Sequence, residues 1–247
     1  MKIAILVFPG TNCELDCQDV LSRLYGQDVS LVWHREESLG TADVVVVPGG
    51  FAYGDYLRPG AIARFSPVMR AVERFAAAGG PVLGICNGFQ VLAEAGLLPG
   101  ALLRNESLLF RCQWVHLRVE NNASLFTSAG RVGQVLEVPI NHNDGRYFVG
   151  REELARMEAN GQIAFRYCDA QGRVTAEANP NGSIANIAGI TNEAGNVLGL
   201  MPHPERCADA ALGHTDGRLV FDSLLRSLSS PVKRAAVMAV TPAAGTV

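Results

Sequence analysis

The sequence predicts an α/β fold: an open, mostly parallel sheet with helices on both faces, plus an antiparallel β insertion in its second half. Three observations lead there. Over about the first hundred residues, short apolar runs alternate with segments of helical periodicity, the pattern of strand–helix–strand units. One run, Val44–Val47, is four consecutive valines, which implies burial on both faces as in a central parallel strand. From about Trp114 the texture changes to apolar runs parted by turns such as Asn179-Pro180-Asn181-Gly182, as in antiparallel sheet.

Taken in order, Lys2–Phe8 reads as a strand broken at Pro9-Gly10, and Thr11-x-x-Glu14 as a capping box. Cys13, Cys17, Val20, Leu21 and Leu24 then form one helical stripe closed by Gly26, so both cysteines read as core. Asp28–Trp33 and Asp43–Val47 are the next strands, followed by a Gly-rich loop over 48–60. Ile62, Phe65, Met69 and Val72 mark a helical face, restarted at Ser66-Pro67 because proline suits a first helical turn. Pro81–Ile85 is a strand and Gly88–Ala95 a helix. Beyond them, Trp114–Val119, Val132–Ile140, Gln162–Tyr167 and Val174–Glu177 read as antiparallel strands, and Val197–Met201 as a return to the main sheet. Phe221, Leu224, Leu225 and Leu228 form the stripe of a last helix. The expected organisation is one domain over 1–228 and a loose tail over 229–247.

Composition narrows the function classes. With 48% apolar residues in 247, the chain has ample material for a core and does not resemble a disordered one. The net charge of −3 offers no basic footprint for nucleic acid or an anionic membrane. No run approaches the ~20 apolar residues of a membrane span, and the N-terminal apolar run meets Pro9-Gly10 too early for a signal peptide. Six cysteines without a Cys-x-x-Cys pair suggest a reducing, cytoplasmic setting.

The sharpest local feature is Gly84-Ile85-Cys86-Asn87-Gly88 between a strand and a helix, the cysteine form of a nucleophile elbow. A sulfur on that turn projects at the carboxyl edge of the sheet, and a helix N-terminus favours its anionic form. The alternative is a buried cysteine in a tight turn. A nucleophilic thiol needs a base with an orienting group, and Pro202-His203-Pro204-Glu205 supplies both. Proline after His203 disfavours helix there, and residues two apart in an extended segment point to one side, so Glu205 can meet the imidazole. Directly after the all-valine strand, Pro48-Gly49-Gly50-Phe51 offers backbone N–H groups for an oxyanion, with the Asn87 amide as the other donor. No metal site is expected, since Cys13, Cys17, His34, His203 and Cys207 complete no ligand pattern. Without a G-x-x-x-x-G-K-[ST] run, no ATP is expected on a phosphate loop. His142, in Asn141-His142-Asn143-Asp144-Gly145, reads as part of a solvated turn, and His34, His116 and His214 carry no assigned role.

Gly84-Ile85-Cys86-Asn87-Gly88-Phe89-Gln90 with the distant His203-Pro204-Glu205 resembles class I glutamine amidotransferases. The longer stretches 48–61, 8–13, 104–115 and 178–206 resemble, within that class, the glutaminase subunits of phosphoribosylformylglycinamidine synthase. The resemblance implies that Cys86 attacks the glutamine side-chain amide, that His203 is the base and that Glu205 orients it. It also implies that Gln90 lies near bound glutamine, beside the Gly50 and Asn87 amides. Ammonia would pass to a separate synthetase subunit that uses ATP and Mg²⁺, with a small subunit bridging the two and no cofactor on this chain. One departure is the 141–145 turn, where the family pattern is Ala-His-Gly-Glu-Gly. Two other readings share some of the features: a stand-alone γ-glutamyl hydrolase or cysteine peptidase on the same fold, and a non-catalytic redox sensor using the elbow cysteine.

Overall fold

The computed structural model describes residues 1–229; of the expected tail over 229–247, only Ser229 lies within the described residues, as the end of the last helix. The chain opens with β1 (Lys2–Val7) and α1 (Glu14–Asp19), which runs on as a π-helical turn over Val20–Leu24. Next come β2 (Asp28–Trp33), β3 (Val44–Val47), α2 (Pro67–Ala77), β4 (Val82–Ile85) and α3 (Asn87–Glu94). The second half holds β5 (Ala101–Leu103), β6 (Arg111–Val119), β7 (Val135–His142), β8 (Arg146–Phe148) and α4 (Arg151–Ala159). It closes with β9 (Ile163–Cys168), β10 (Ile187–Thr191), β11 (Val197–Leu200) and α5 (Arg218–Ser229).

Nine strands form one sheet in the order β2-β1-β3-β4-β11-β10-β9-β6-β7, and β5 with β8 makes a separate antiparallel pair. The five strands from β2 to β11 are parallel; from β11 to β7 every pairing is antiparallel. The predicted antiparallel portion therefore extends the main sheet. β3, β4 and β11 are buried at every position, as the valine run demands. The strand order reverses direction between β2-β1 and β3-β4, so right-handed crossovers put α1 and α2 on opposite faces. α5 joins the α1 face, where Phe221 packs on Tyr25 at 6.1 Å and the Tyr25 hydroxyl donates to Asp222. Each large apolar side chain buried this way contributes about 1.5–3 kcal/mol.

Three local expectations are corrected. Thr11 does not cap α1: its hydroxyl accepts the Phe8 N–H at 2.9 Å inside the β1 turn, and Cys13 is the residue before the helix. Val174–Glu177 is not a strand; Asn186 donates to the Thr175 carbonyl at 2.7 Å and holds the segment as an irregular turn, while Ile187–Thr191 takes the place in the sheet. His142 is 3% exposed at the end of β7, not solvated, because it continues the inward face of Leu136, Val138 and Ile140.

Candidate active site

Cys86 sits between β4 and α3 with φ 50° and ψ −106°, a conformation that residues other than glycine rarely hold. Such strain costs on the order of 1–3 kcal/mol and persists where the surroundings over-determine it. Here two glycines permit the close packing. A Cβ on Gly88 would lie 1.8 Å from the Val47 carbonyl oxygen, and one on Gly84 would lie 2.9 Å from the Gly88 carbonyl. The Gly-x-Cys-x-Gly spacing thus lets α3 close onto β3 and β4. Cys86 is 5% exposed, and its thiol donates to the Asn141 carbonyl at 3.7 Å.

His203 arrives on the neighbouring strand. β11 pairs in parallel with β4, Gly199 beside Gly84 and Leu200 beside Ile85, and the Cys86 N–H donates to the Leu200 carbonyl at 2.8 Å. The His203 N–H is held by the Pro139 carbonyl at 2.9 Å. His203 Nδ1 lies 2.6 Å from Glu205 Oε1, with both side chains buried. A carboxylate can only accept, so Nδ1 carries a proton, and in the neutral ring the lone pair is therefore on Nε2; Nε2 has no hydrogen bond among the described residues. Glu205 reaches the ring through a 3₁₀ turn over Pro204–Cys207, not along an extended segment. Burial alone would lower the His203 pKa, but the charges of Glu205 and Cys86 outweigh it and hold the imidazole well above its ordinary value. Cys86 and His203, distant in sequence, are therefore neighbours across one edge of the sheet.

The predicted oxyanion turn is clamped from the β1 side. Asn12 and Cys13 N–H groups both donate to the Gly49 carbonyl (3.4 and 3.2 Å), and the Phe51 N–H donates to Gly10 at 2.9 Å. Gly50 takes φ 146°, and a Cβ there would lie 2.7 Å from Thr11 Cα. With the Phe51 amide on Gly10 and the Ala52 amide on the Asn87 side chain at 3.0 Å, the Gly50 N–H remains without a backbone acceptor among the described residues. The Asn87 N–H, first in α3, has no acceptor within its helix. Gln90 is buried beside them: its Oε1 accepts from Asn87 Nδ2 at 2.8 Å and its Nε2 donates to the Asp144 carbonyl at 2.6 Å.

Several residues missed by the sequence reading frame this arrangement. Asn105, fully buried, donates to the Leu109 and His142 carbonyls and accepts from the Gly145 N–H and from His142 Nδ1. Those bonds assign the His142 proton to Nδ1. Burial first, and then the charge of His203, push His142 down to about 3, so it is neutral. Asp55 neighbours Asn87 at 3.4 Å, and burial followed by the Asp144 charge raises it to about 6. Cys17 belongs to the core as expected, and burial before all else pushes its thiol well up. Cys13 does not: its sulfur joins His203 and Glu205 in a group whose polar atoms lie within 4.8 Å of one another. That triple has the donor types of a metal site, but Nδ1 and Oε1 are hydrogen-bonded to each other and the Arg206 guanidinium donates to the sulfur at 3.2 Å. A signal for Cys13 was available in its position: it closes the turn after β1, at the strand ends where α/β sheets gather their sites.

Comparisons with known proteins give the family and the fold. Residues 1–218 match the CobB/CobQ-like glutamine amidotransferase domain. The chain is 58% identical to phosphoribosylformylglycinamidine synthase subunit PurQ of Salinibacter ruber, over 92% of this chain and 97% of that protein. It is 57% identical to the subunit of the same name from Moorella thermoacetica, over 91% and 95%. Among solved structures, a chain of PurLQS from Thermotoga maritima superposes with a TM-score of 0.81 at 40% identity, covering 92% of this chain and 98% of that one. Sequence, strand order and these likenesses agree, and the chain belongs to the CobB/CobQ-like glutamine amidotransferase family.

Proposed function

We propose that Cys86, His203 and Glu205 hydrolyse glutamine through a γ-glutamyl thioester, with the Gly50 and Asn87 N–H groups receiving the oxyanion and Gln90 beside the bound substrate. The chain is a glutamine amidotransferase, the glutaminase subunit of phosphoribosylformylglycinamidine synthase; relatives of that name match along nearly their whole length, which disfavours a stand-alone hydrolase. The observation carrying the mechanism is the 2.6 Å His203–Glu205 pair, delivered on the strand beside the one that delivers Cys86.

His203 Nε2 takes the Cys86 proton, and the thiolate attacks the side-chain carbonyl carbon of glutamine. The oxygen gains charge and is met by the two amides, which are preorganised and therefore effective. The C–N bond breaks as the imidazolium returns its proton to nitrogen, releasing ammonia and leaving the thioester. His203 then activates water, the C–S bond breaks, and glutamate departs with the thiol restored. In this scheme ammonia serves a separate synthetase subunit that holds ATP and Mg²⁺, a small subunit bridges the two chains, and the work is cytoplasmic. This chain needs no cofactor for its own step.

Cys86→Ala tests the reading in the assembled synthase. Glutamine-dependent amidine formation should fall by about a thousandfold or more, while ammonia-dependent formation keeps the parent rate. Surviving glutamine-dependent turnover would reject Cys86 as the nucleophile.

A further inference from the structure

The helical stripe assigned Cys13 to the core, and it is 2% exposed, yet its neighbours are polar. Its thiol donates to Asn12 Oδ1 at 3.2 Å, and Arg206 Nη2 donates to its sulfur at 3.2 Å. Arg206 is itself anchored by Asp16 at 3.4 Å. The sulfur lies within 4.8 Å of a ring nitrogen of His203 and a carboxylate oxygen of Glu205. A Cβ on Gly49 would stand 2.8 Å from His203 Cε1 and 3.0 Å from the Cys13 sulfur, so ring and sulfur both crowd the turn and leave no room there for even a methyl group. The Cys13 N–H meanwhile holds the Gly49 carbonyl at 3.2 Å. One residue therefore stands within 4.8 Å of a ring nitrogen of His203 and bonds the turn that presents the Gly50 amide.

We propose that Cys13 is a positioning residue for glutamine hydrolysis: its sulfur keeps the His203 ring between Cys86 and Glu205 and steadies the imidazolium formed when Cys86 gives up its proton. The inference rests on the reading of Cys86 as nucleophile and His203 as base. The chemistry has the right sign. A thiol has one proton to donate and weak acceptor capacity. With that proton spent on Asn12, the sulfur offers the ring only lone-pair density, which attracts an imidazolium and cannot compete with Cys86 as a proton donor. The other charged or titratable groups acting on His203 are Glu205, Cys86, Cys207 and, less favourably, His142, while Arg206 draws the sulfur into place.

The test uses two apolar replacements in the complete synthase with L-glutamine as substrate. Cys13→Val fills the space and Cys13→Ala leaves it; both retain the backbone bond to Gly49, so only the sulfur is removed, and either suffices if the other does not fold. The expected result is a kcat for glutamine hydrolysis roughly three- to tenfold lower, with KM within about twofold. The acid limb of the kcat–pH profile should move to lower pH, since less holds the ring proton and the neutral base forms sooner, and Cys13→Ser should recover much of both effects. A parent-like rate and profile overturns the proposal. So does a loss of rate with an unmoved acid limb and no recovery by serine, which would mark a packing role. Cys86→Ala separates the two levels: turnover in that variant rejects the nucleophile reading itself, whereas an inactive Cys86→Ala beside a parent-like Cys13→Val rejects only the role of Cys13.

Discussion

The parallel and antiparallel halves of the sheet meet at β11 and bring different things to the same edge. In the parallel half every strand runs the same way, so β1, β3, β4 and β11 all release their turns on one side. Those turns carry the thiol, the imidazole, the carboxylate and the two free amides. In the antiparallel half strand ends alternate, and β7 is the strand whose last residues reach the site. What it supplies is mostly backbone oxygen: Asn141 to the Cys86 thiol, Asp144 to Gln90, and Pro139 to the His203 N–H. One half thus concentrates reactive groups on strained turns, while the other lines the same edge mostly with backbone carbonyls and with the buried Asn105–His142 pair.

Three variants can break or sharpen that division. The largest effect should come from Gly88→Ala in the parallel half. Its Cβ would fall 1.8 Å from the Val47 carbonyl, so α3 must lift from β3. A loss of about 4 kcal/mol or more is expected, read by chemical denaturation; a loss under about 1 kcal/mol would show that the elbow is not over-determined. Next is Asn105→Ala in the antiparallel wall. It strands the Gly145 N–H and the His142 Nδ1 proton, at a cost of about 2–3 kcal/mol. On the proposed reading, in which these residues flank bound glutamine without taking part in bond making, KM for glutamine should rise more than kcat falls. A collapse of kcat with KM unchanged would erase the distinction between the halves.

The smallest effect concerns Asp55, which lies between the halves beside Asn87 and near Asp144. Its carboxyl is raised from 3.8 to about 6, chiefly by burial. The folded state therefore holds that proton more tightly than the unfolded chain does, and stability falls as pH rises from about 4 to about 6. Asp55→Asn should be more stable than the parent by about 1 kcal/mol at pH 7.5, allowing for partial exposure, and the advantage should shrink at pH 5. Urea titrations at the two pH values decide it; an equal gap at both would mean the carboxyl is not raised.

Much of the site was legible because its chemistry is written in short, rigid motifs. The Gly84–Gly88 spacing encodes a close approach of helix to strand, and the proline after His203 encodes its non-helical backbone; both are local steric facts. The wall was not legible. His142 lies in a stretch of Asn, Asp and Gly that looks solvated, and only pairing of β7 with β6 and capture by Asn105 bury it. Val174–Glu177 misled for a related reason, since its β-prone residues lost the sheet position to Ile187–Thr191. Cys13 misled through its helical spacing, which was genuine for Cys17 and Leu21 but placed Cys13 at the very start of the helix, near His203.

The amino-acid order by itself determined the strand–helix alternation, the elbow geometry and the pairing of an imidazole with a carboxylate two residues on. These follow from steric limits and periodicities acting over a few residues. Only the tertiary structure decided which distant segments share an edge: β11 beside β4, the β1 turn against the β3 turn, and β7 across the mouth. Those choices depend on burying whole strand faces at once, a condition that no single segment contains.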